Sequence, residues 1–125
     1  MDIESNKQLV KDFYTTVVVK GDFSRVHEYL GEEYIQHSPQ VENGVEGLRA
    51  FVTGIRSEFP SVQHEFKRVI AEGDLVATHS HVVRFTGDLG RSVMDWFRIE
   101  NDRIVEHWEC VVQIPPVTKS GLPLV

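Results

Sequence analysis

A chain of 125 residues has room for one domain, residues 1–125, and needs neither a disulfide nor a metal to bury an adequate core. Its composition (41% hydrophobic, 26% charged) is that of a soluble globular protein, and a net charge of −6 with scattered Lys and Arg argues against nucleic acid or an anionic membrane as partner. The lone Cys110 excludes an internal disulfide and fits a reducing cytoplasm, the polar start MDIESNKQLV is not a secretory signal, and no apolar run approaches the roughly 20 residues of a membrane span.

From Ile3 to Val19 the residues Leu9, Val10, Phe13, Tyr14 and Val17 recur at three- and four-residue spacing, which predicts an amphipathic helix ended by Gly21-Asp22. A short second helix is expected over Phe23–Leu30, stopped by Gly31. Tyr34-Ile35-Gln36-His37 reads as a short strand that breaks at Ser38-Pro39. Asn43-Gly44 opens a third helix whose stripe is Val45, Leu48, Phe51, Val52 and Ile55, and Phe59-Pro60 closes it. Beyond Pro60 the period falls from 3.6 to 2. Four strands follow, Val62–Ala71, Leu75–Phe85, Arg91–Ile99 and Ile104–Gln113, joined by short turn signals that make neighbours antiparallel. Helices first and a meander afterwards is an α+β pattern, with the helices packed on one face of a curved antiparallel sheet. The proline-rich tail from Ile114 to Val125 is expected to lie extended on the surface.

Two stretches carry a family resemblance: Tyr34-Ile35-Gln36-His37-Ser38-Pro39, and the hairpin Asp95-Trp96-Phe97-Arg98-Ile99 … Arg103-Ile104-Val105-Glu106-His107-Trp108-Glu109. With the order of elements they resemble the SnoaL-like polyketide cyclases of the nuclear transport factor 2-like superfamily, over nearly the whole chain. The resemblance implies a cone-shaped α+β roll around one pocket, and a fold that carries isomerases, hydrolases, dehydratases, cyclases and pure binders. The acid/base position of the cyclases matches Glu109, and a cyclase histidine on the preceding strand falls on Asp95. The Asp-x-Phe-Arg-x segment of the steroid isomerases matches Asp95-Trp96-Phe97-Arg98-Ile99; their general base falls near His37 and their donor tyrosine near Phe13 or Tyr14. The two acids of the limonene epoxide hydrolases fall on Asp95 and Glu109, whereas their bridging arginine falls on Val93.

Strand alternation sorts the polar residues by face. Asp95 shares one with Val93, Phe97 and Ile99; Glu109 shares one with Val105, His107, Val111 and Gln113. A plain two-residue loop between the last strands pairs residue 95 with 108, and one bulged residue pairs it with 109, which the resemblance favours. Opposed carboxylates would lie about 5 Å apart at Cβ, and one of them would keep its proton near neutral pH. A protonated acid polarises a carbonyl while an ionised acid or a histidine removes a proton, the chemistry of aldol cyclisation, isomerisation and dehydration. The catalytic candidates are Asp95, Glu109, His37 at the pocket rim, and His81; the substrate-binding candidates are His79, Tyr14, Tyr34, Gln36, Phe97 and His107. His79 and His81 stand at His-x-His ligand spacing, but nothing fixes a third ligand, so they read as pocket or core histidines and neither metal nor cofactor is expected.

Met94, Trp96, Trp108, Cys110 and Val112 alternate to the opposite face. Two tryptophans there predict a sheet-to-sheet homodimer or cover by the tail, and an inert, buried thiol at Cys110. The expectation is therefore a cytoplasmic protein with a pocket for a small hydrophobic molecule, acting as a cofactor-free acid/base enzyme on a carbonyl compound. The alternative is a non-catalytic binding or dimerisation module of the same fold.

Overall fold

The computed structural model describes residues 2–125. Helix α1, Ile3–Phe13, starts where the Asp2 carboxylate accepts from the Ser5 backbone N–H at 2.7 Å, and it buries Val10 and Phe13. It continues as a π-helical turn over Tyr14–Val19, which completes the expected helix with a wider coil. Such turns re-aim side chains; here Tyr14, Val18 and Val19 face a cavity.

The second expected helix is absent. Only a 3₁₀ turn forms at Val26–Glu28, and Leu30 already opens strand β1, Leu30–Gln36. Leu30 is buried and pairs with Ile104, so tertiary pairing overrides the local helical spacing. Helix α2, Gly44–Glu58, follows, then β2 (Gln63–Glu72), β3 (Leu75–Val83), β4 (Arg91–Glu100) and β5 (Arg103–Gln113). The Asn43 side-chain Oδ1 accepts from the Gln36 backbone N–H at 2.8 Å, tying the end of β1 to the start of α2.

Sheet order is β1-β5-β4-β3-β2. The last four strands form the expected antiparallel meander, but β1 joins β5 in parallel, so the sheet is mixed rather than wholly antiparallel. Residues between the two provide the long crossover a parallel pair needs. The helices cover the inner face of the sheet, where Phe13, Phe97, Leu30, Ile104, Val10 and Val52 make the core.

Register in the last hairpin decides what the inner face carries. Asn101 and Asp102 both have positive φ (50° and 61°), the pattern of a tight two-residue turn that pairs Glu100 with Arg103. Further along, the register slips between Arg98 and Ile99, and Asp95 lands opposite Glu109. Pairing of 95 with 109 is thus produced by a bulge inside the strands, at Val105, and the turn itself is the short one.

Gly90, at φ +89°, sits under the ring of His81, whose Nε2 is 2.9 Å from the Leu89 carbonyl. A Cβ there would come within 2.5 Å of that Nε2 and 2.7 Å of the Val82 carbonyl. Backbone strain and overlap together should make Gly90→Ala cost about 2 kcal/mol, roughly 8 °C in a thermal melt. A melt within a degree of the parent would show that this corner yields.

Candidate functional site

Asp95 and Glu109 face inward on neighbouring strands, and Asp95 is 1% exposed. Asp95 Oδ1 lies 2.6 Å from His107 Nε2, while its Oδ2 has no hydrogen-bond partner among the described residues. On its other nitrogen, His107 Nδ1 lies 2.7 Å from Gln36 Oε1. That oxygen also accepts from the Ser38 backbone N–H at 2.9 Å, and Gln36 Nε2 donates to the Tyr34 hydroxyl at 3.2 Å. The orientation of the Gln36 amide is therefore fixed, and His107 Nδ1 must carry a proton to bond it. A lone pair on His107 Nε2 cannot face an ionised Asp95 oxygen at 2.6 Å without repulsion, so a further proton lies between them. It sits on the acid, leaving two neutral groups, or on the imidazole, leaving an ion pair.

Glu109 Oε1 accepts from the Ser38 hydroxyl at 3.0 Å. Burial, and then the neighbouring Asp95 charge, raise its pKa above the ordinary carboxylate value; the opposing pull of His107 and Ser38 is smaller. Tyr14 and Tyr34 are likewise pushed up, first by burial and then by Asp95, so both phenols keep their protons as donors.

Two connected hollows meet at these groups. The inner one, about 40 Å³, is bounded by Asp95, His107, Glu109, Tyr14, Tyr34 and Phe97. The outer one, about 280 Å³, shares Tyr14 and Glu109 with it and is also lined by His64, Arg84 and Arg91. Glu109 stands at the junction. Phe97 stacks on His107 with centroids 4.8 Å apart and fixes the imidazole plane.

The other three histidines singled out in the sequence do not join this group. On β3 the inward residues are Val76, Thr78 and Ser80, with Thr78 opposite Asp95, so His79 and His81 point to the outer face. His79 bonds Arg68 and the Ser92 hydroxyl, and His81 holds the Leu89 carbonyl. His37 bonds Glu106 at 2.7 Å and stacks on Trp108 at 5.0 Å, outside both hollows. The histidine beside the acids is His107, read from the sequence only as a substrate contact. Cys110 is exposed rather than buried, because nothing in the single chain covers the outer face there.

Two site residues escaped the sequence reading. Ser38 reads in the sequence only as a strand breaker, whereas its hydroxyl reaches Glu109. His64 lies inward on β2, stacked on Tyr14 at 4.2 Å with its Nε2 unpartnered. An inward alternation with Phe66 was the signal available for it. Burial pulls its pKa down to about 4 against a small raising effect of Asp95, so it is neutral at pH 7. Among the described residues, four of the five unpartnered buried side-chain atoms, Asp95 Oδ2, Thr78 Oγ1, Ser80 Oγ and His64 Nε2, belong to inward residues of β2, β3 and β4, the fifth being Asn6 Oδ1 on α1. Such a concentration of unsatisfied groups is a mark of a functional surface. Asp95, His107 and Glu109 offer ligand atoms all within 4.8 Å of one another, a spacing that suits a divalent cation as well as a shared proton.

A curved sheet closed by helices over a polar-floored hollow defines the small-molecule pocket proteins of the nuclear transport factor 2-like class. The model of the SnoaL-like polyketide cyclases matches residues 8–116, and the chain belongs to that family. No curated protein matches it by sequence. Among solved structures it is similar to TsrD from Streptomyces laurentii (24% identity, TM-score 0.74, covering 89% of this chain and 90% of that one). It is also similar to IdmH from Streptomyces antibioticus (20%, TM-score 0.68, 85% and 91%) and to a SnoaL-like protein from Burkholderia thailandensis (16%, TM-score 0.72, 90% and 99%). At these identities the likeness shows the fold.

Proposed function

We propose that the protein is an acid/base enzyme that enolises a small carbonyl compound, as a cyclase, isomerase or dehydratase does, with Asp95 and Glu109 acting as one unit. The observation that carries this reading is the buried Asp95–Glu109 pair, joined to His107 and placed where the two hollows meet. Burial, and then the Asp95 charge, raise the pKa of Glu109, so Glu109 is the member disposed to hold a proton, and the acid and base roles belong to the pair. The substrate carbonyl oxygen takes hydrogen bonds from the protonated member and from the Tyr14 phenol. The ionised member accepts the α-proton, and the electron pair of the broken C–H bond moves onto the carbonyl as the enol forms. Return of a proton to carbon, attack on a second carbonyl, or loss of a β-hydroxyl then gives the three reaction types. None of these steps calls for a cofactor.

Deuterium wash-in from D₂O at the α-carbons of a neutral methyl ketone, the methyl ester of 7-oxooctanoate, read by proton NMR, tests the reading. Catalysed exchange above buffer supports it. Binding without any exchange would favour the ligand-binding module instead.

The outer face belongs to the same reading. Trp96 is 48% exposed and Met94, also exposed, flanks it, while Trp108 is half-buried under His37. The tail crosses this face only at its end, where the Ser92 hydroxyl donates to the Leu124 carbonyl at 3.3 Å, and it leaves Trp96 open. A second copy packed sheet to sheet would cover it. Light scattering should then give a dimer that Trp96→Glu dissociates to monomer with the fold kept; a monomeric parent protein would end this part of the proposal. No helix among the described residues is long and apolar enough to cross a membrane. The free, exposed Cys110 supports a location in a reducing compartment such as the cytoplasm.

A further inference from the structure

The outer hollow has a charge that the acid/base pair does not explain. Arg84 follows β3 and Arg91 opens β4, and both line the cavity on the side away from Asp95. Among the described residues no carboxylate lies within ion-pair distance of either guanidinium, and neither side chain makes a hydrogen bond. The nearest acid in sequence, Asp88, is committed elsewhere: its two oxygens accept from the backbone N–H groups of Arg84 and Gly90 at 2.9 and 3.0 Å. Arg84 is held over the ring of Phe59, 4.9 Å from its centroid, so its position is fixed without an anion. Burial, and then the like charge of Arg91, lower the Arg84 pKa, while Glu58 and Asp88 only partly offset this. Two partly buried cations facing one hollow, in a chain of net charge −6, form a local reversal of sign.

We infer that the substrate is an anionic carbonyl compound, a carboxylic acid whose carboxylate is held by Arg84 and Arg91 while its ketone reaches Glu109 and Asp95. A carboxylate fits because guanidinium groups bind its two oxygens in a planar fork, with charge-assisted bonds stronger than neutral ones. The strand is the ruler. Arg91 and Asp95 lie four residues apart on the inward side of β4, about 13 Å along the backbone, Arg91 lining the outer hollow and Asp95 the inner one. Allowing for the reach of the arginine, carboxylate and ketone should be separated by about 5–10 Å. A cavity near 280 Å³ sits at the small end of ligand sites, which suits a chain or single ring rather than a fused polycycle.

This rests on the site proposed above, so the test uses a pair of compounds that separates the two ideas. The probes are 7-oxooctanoate and its methyl ester, equal in carbonyl and chain and different in charge. Calorimetric titration at low salt should show the acid binding about tenfold tighter than the ester, the size of one charge-assisted bond. Arg91→Gln and Arg84→Gln should each remove most of that advantage and leave the ester unchanged. Sodium chloride raised from 20 to 500 mM on the parent protein, which needs no variant to fold, should weaken the acid alone. Inorganic phosphate should displace the acid less well than acetate does at equal concentration; the reverse order would overturn the choice of carboxylate. Equal binding of acid and ester overturns the anion assignment and leaves the acid/base site standing. Binding of neither removes both.

Discussion

Asp95→Asn should abolish the deuterium wash-in while leaving the melting temperature equal to or above that of the parent. The activity side follows from the shared proton. An amide can neither accept the α-proton nor release one, so the loss should reach the 10²–10⁴-fold, roughly, that a positioned acid/base group contributes. The stability side follows from the hydrogen bonds. His107 Nε2, whose other nitrogen is fixed as a donor to Gln36, needs a donor opposite it, and an asparagine amide turned to present its NH₂ supplies one at the same 2.6 Å position. The variant also removes the cost of holding a carboxyl at 1% exposure with one oxygen unpartnered. Glu109→Gln should lose activity to a similar degree, and the double variant should lose little more, since members of one proton-sharing unit are not additive. Retention of wash-in within about threefold of the parent in Asp95→Asn would sink the unit, because a loss that small is below the acid/base range.

How far the sequence reached this site depends on what kind of information each part needed. Period-2 alternation is local, so the four meander strands and the inward placement of Asp95, Phe97, His107 and Glu109 were legible residue by residue. Which of two faces is inward is not local when both are mixed. On β3 the small hydroxyls Thr78 and Ser80 are the buried ones and the two histidines point out, a choice set by pairing with β4 rather than by hydropathy. The alternation of Leu75, Ala77, His79 and His81 therefore suggested the wrong partners for the acids. The parallel entry of β1 beside β5 was illegible for the same reason, since it joins residues 70 or more apart in the chain, as in the bond from the His37 backbone N–H to the His107 carbonyl. That pairing is what carries Gln36 to His107 and Ser38 to Glu109. The family resemblance implies the pairing of Asp95 with Glu109 that the bulge at Val105 produces, and it carries no information about the two arginines.

His64 gives the largest expected effect on stability, and its sign can be worked through. In the unfolded chain a histidine titrates near 6.5, whereas His64 in the fold does so only at about 4, because its charged form would be buried against Tyr14 and Phe66. Between those values the unfolded state binds more protons than the folded one, so stability is full above pH 6.5 and falls as pH drops toward 4. A shift of 6.5 − 4 = 2.5 corresponds to about 3 kcal/mol at the bottom of the window. Glu109 works in the opposite direction. Its folded pKa is raised, so its protonation favours the fold on the acid side and that contribution is lost as pH rises through the raised value. Urea denaturation of the parent, His64→Phe and Glu109→Gln at pH 7, 5.5 and 4.5 separates the two. His64→Phe keeps an aromatic ring against Tyr14 and has nothing to titrate, so it should gain on the parent by up to about 3 kcal/mol as pH falls. Glu109→Gln should instead gain on the parent as pH rises. Parallel pH profiles for His64→Phe and the parent would mean that His64 is solvated and charges freely, and that the outer hollow is wetter than its lining implies.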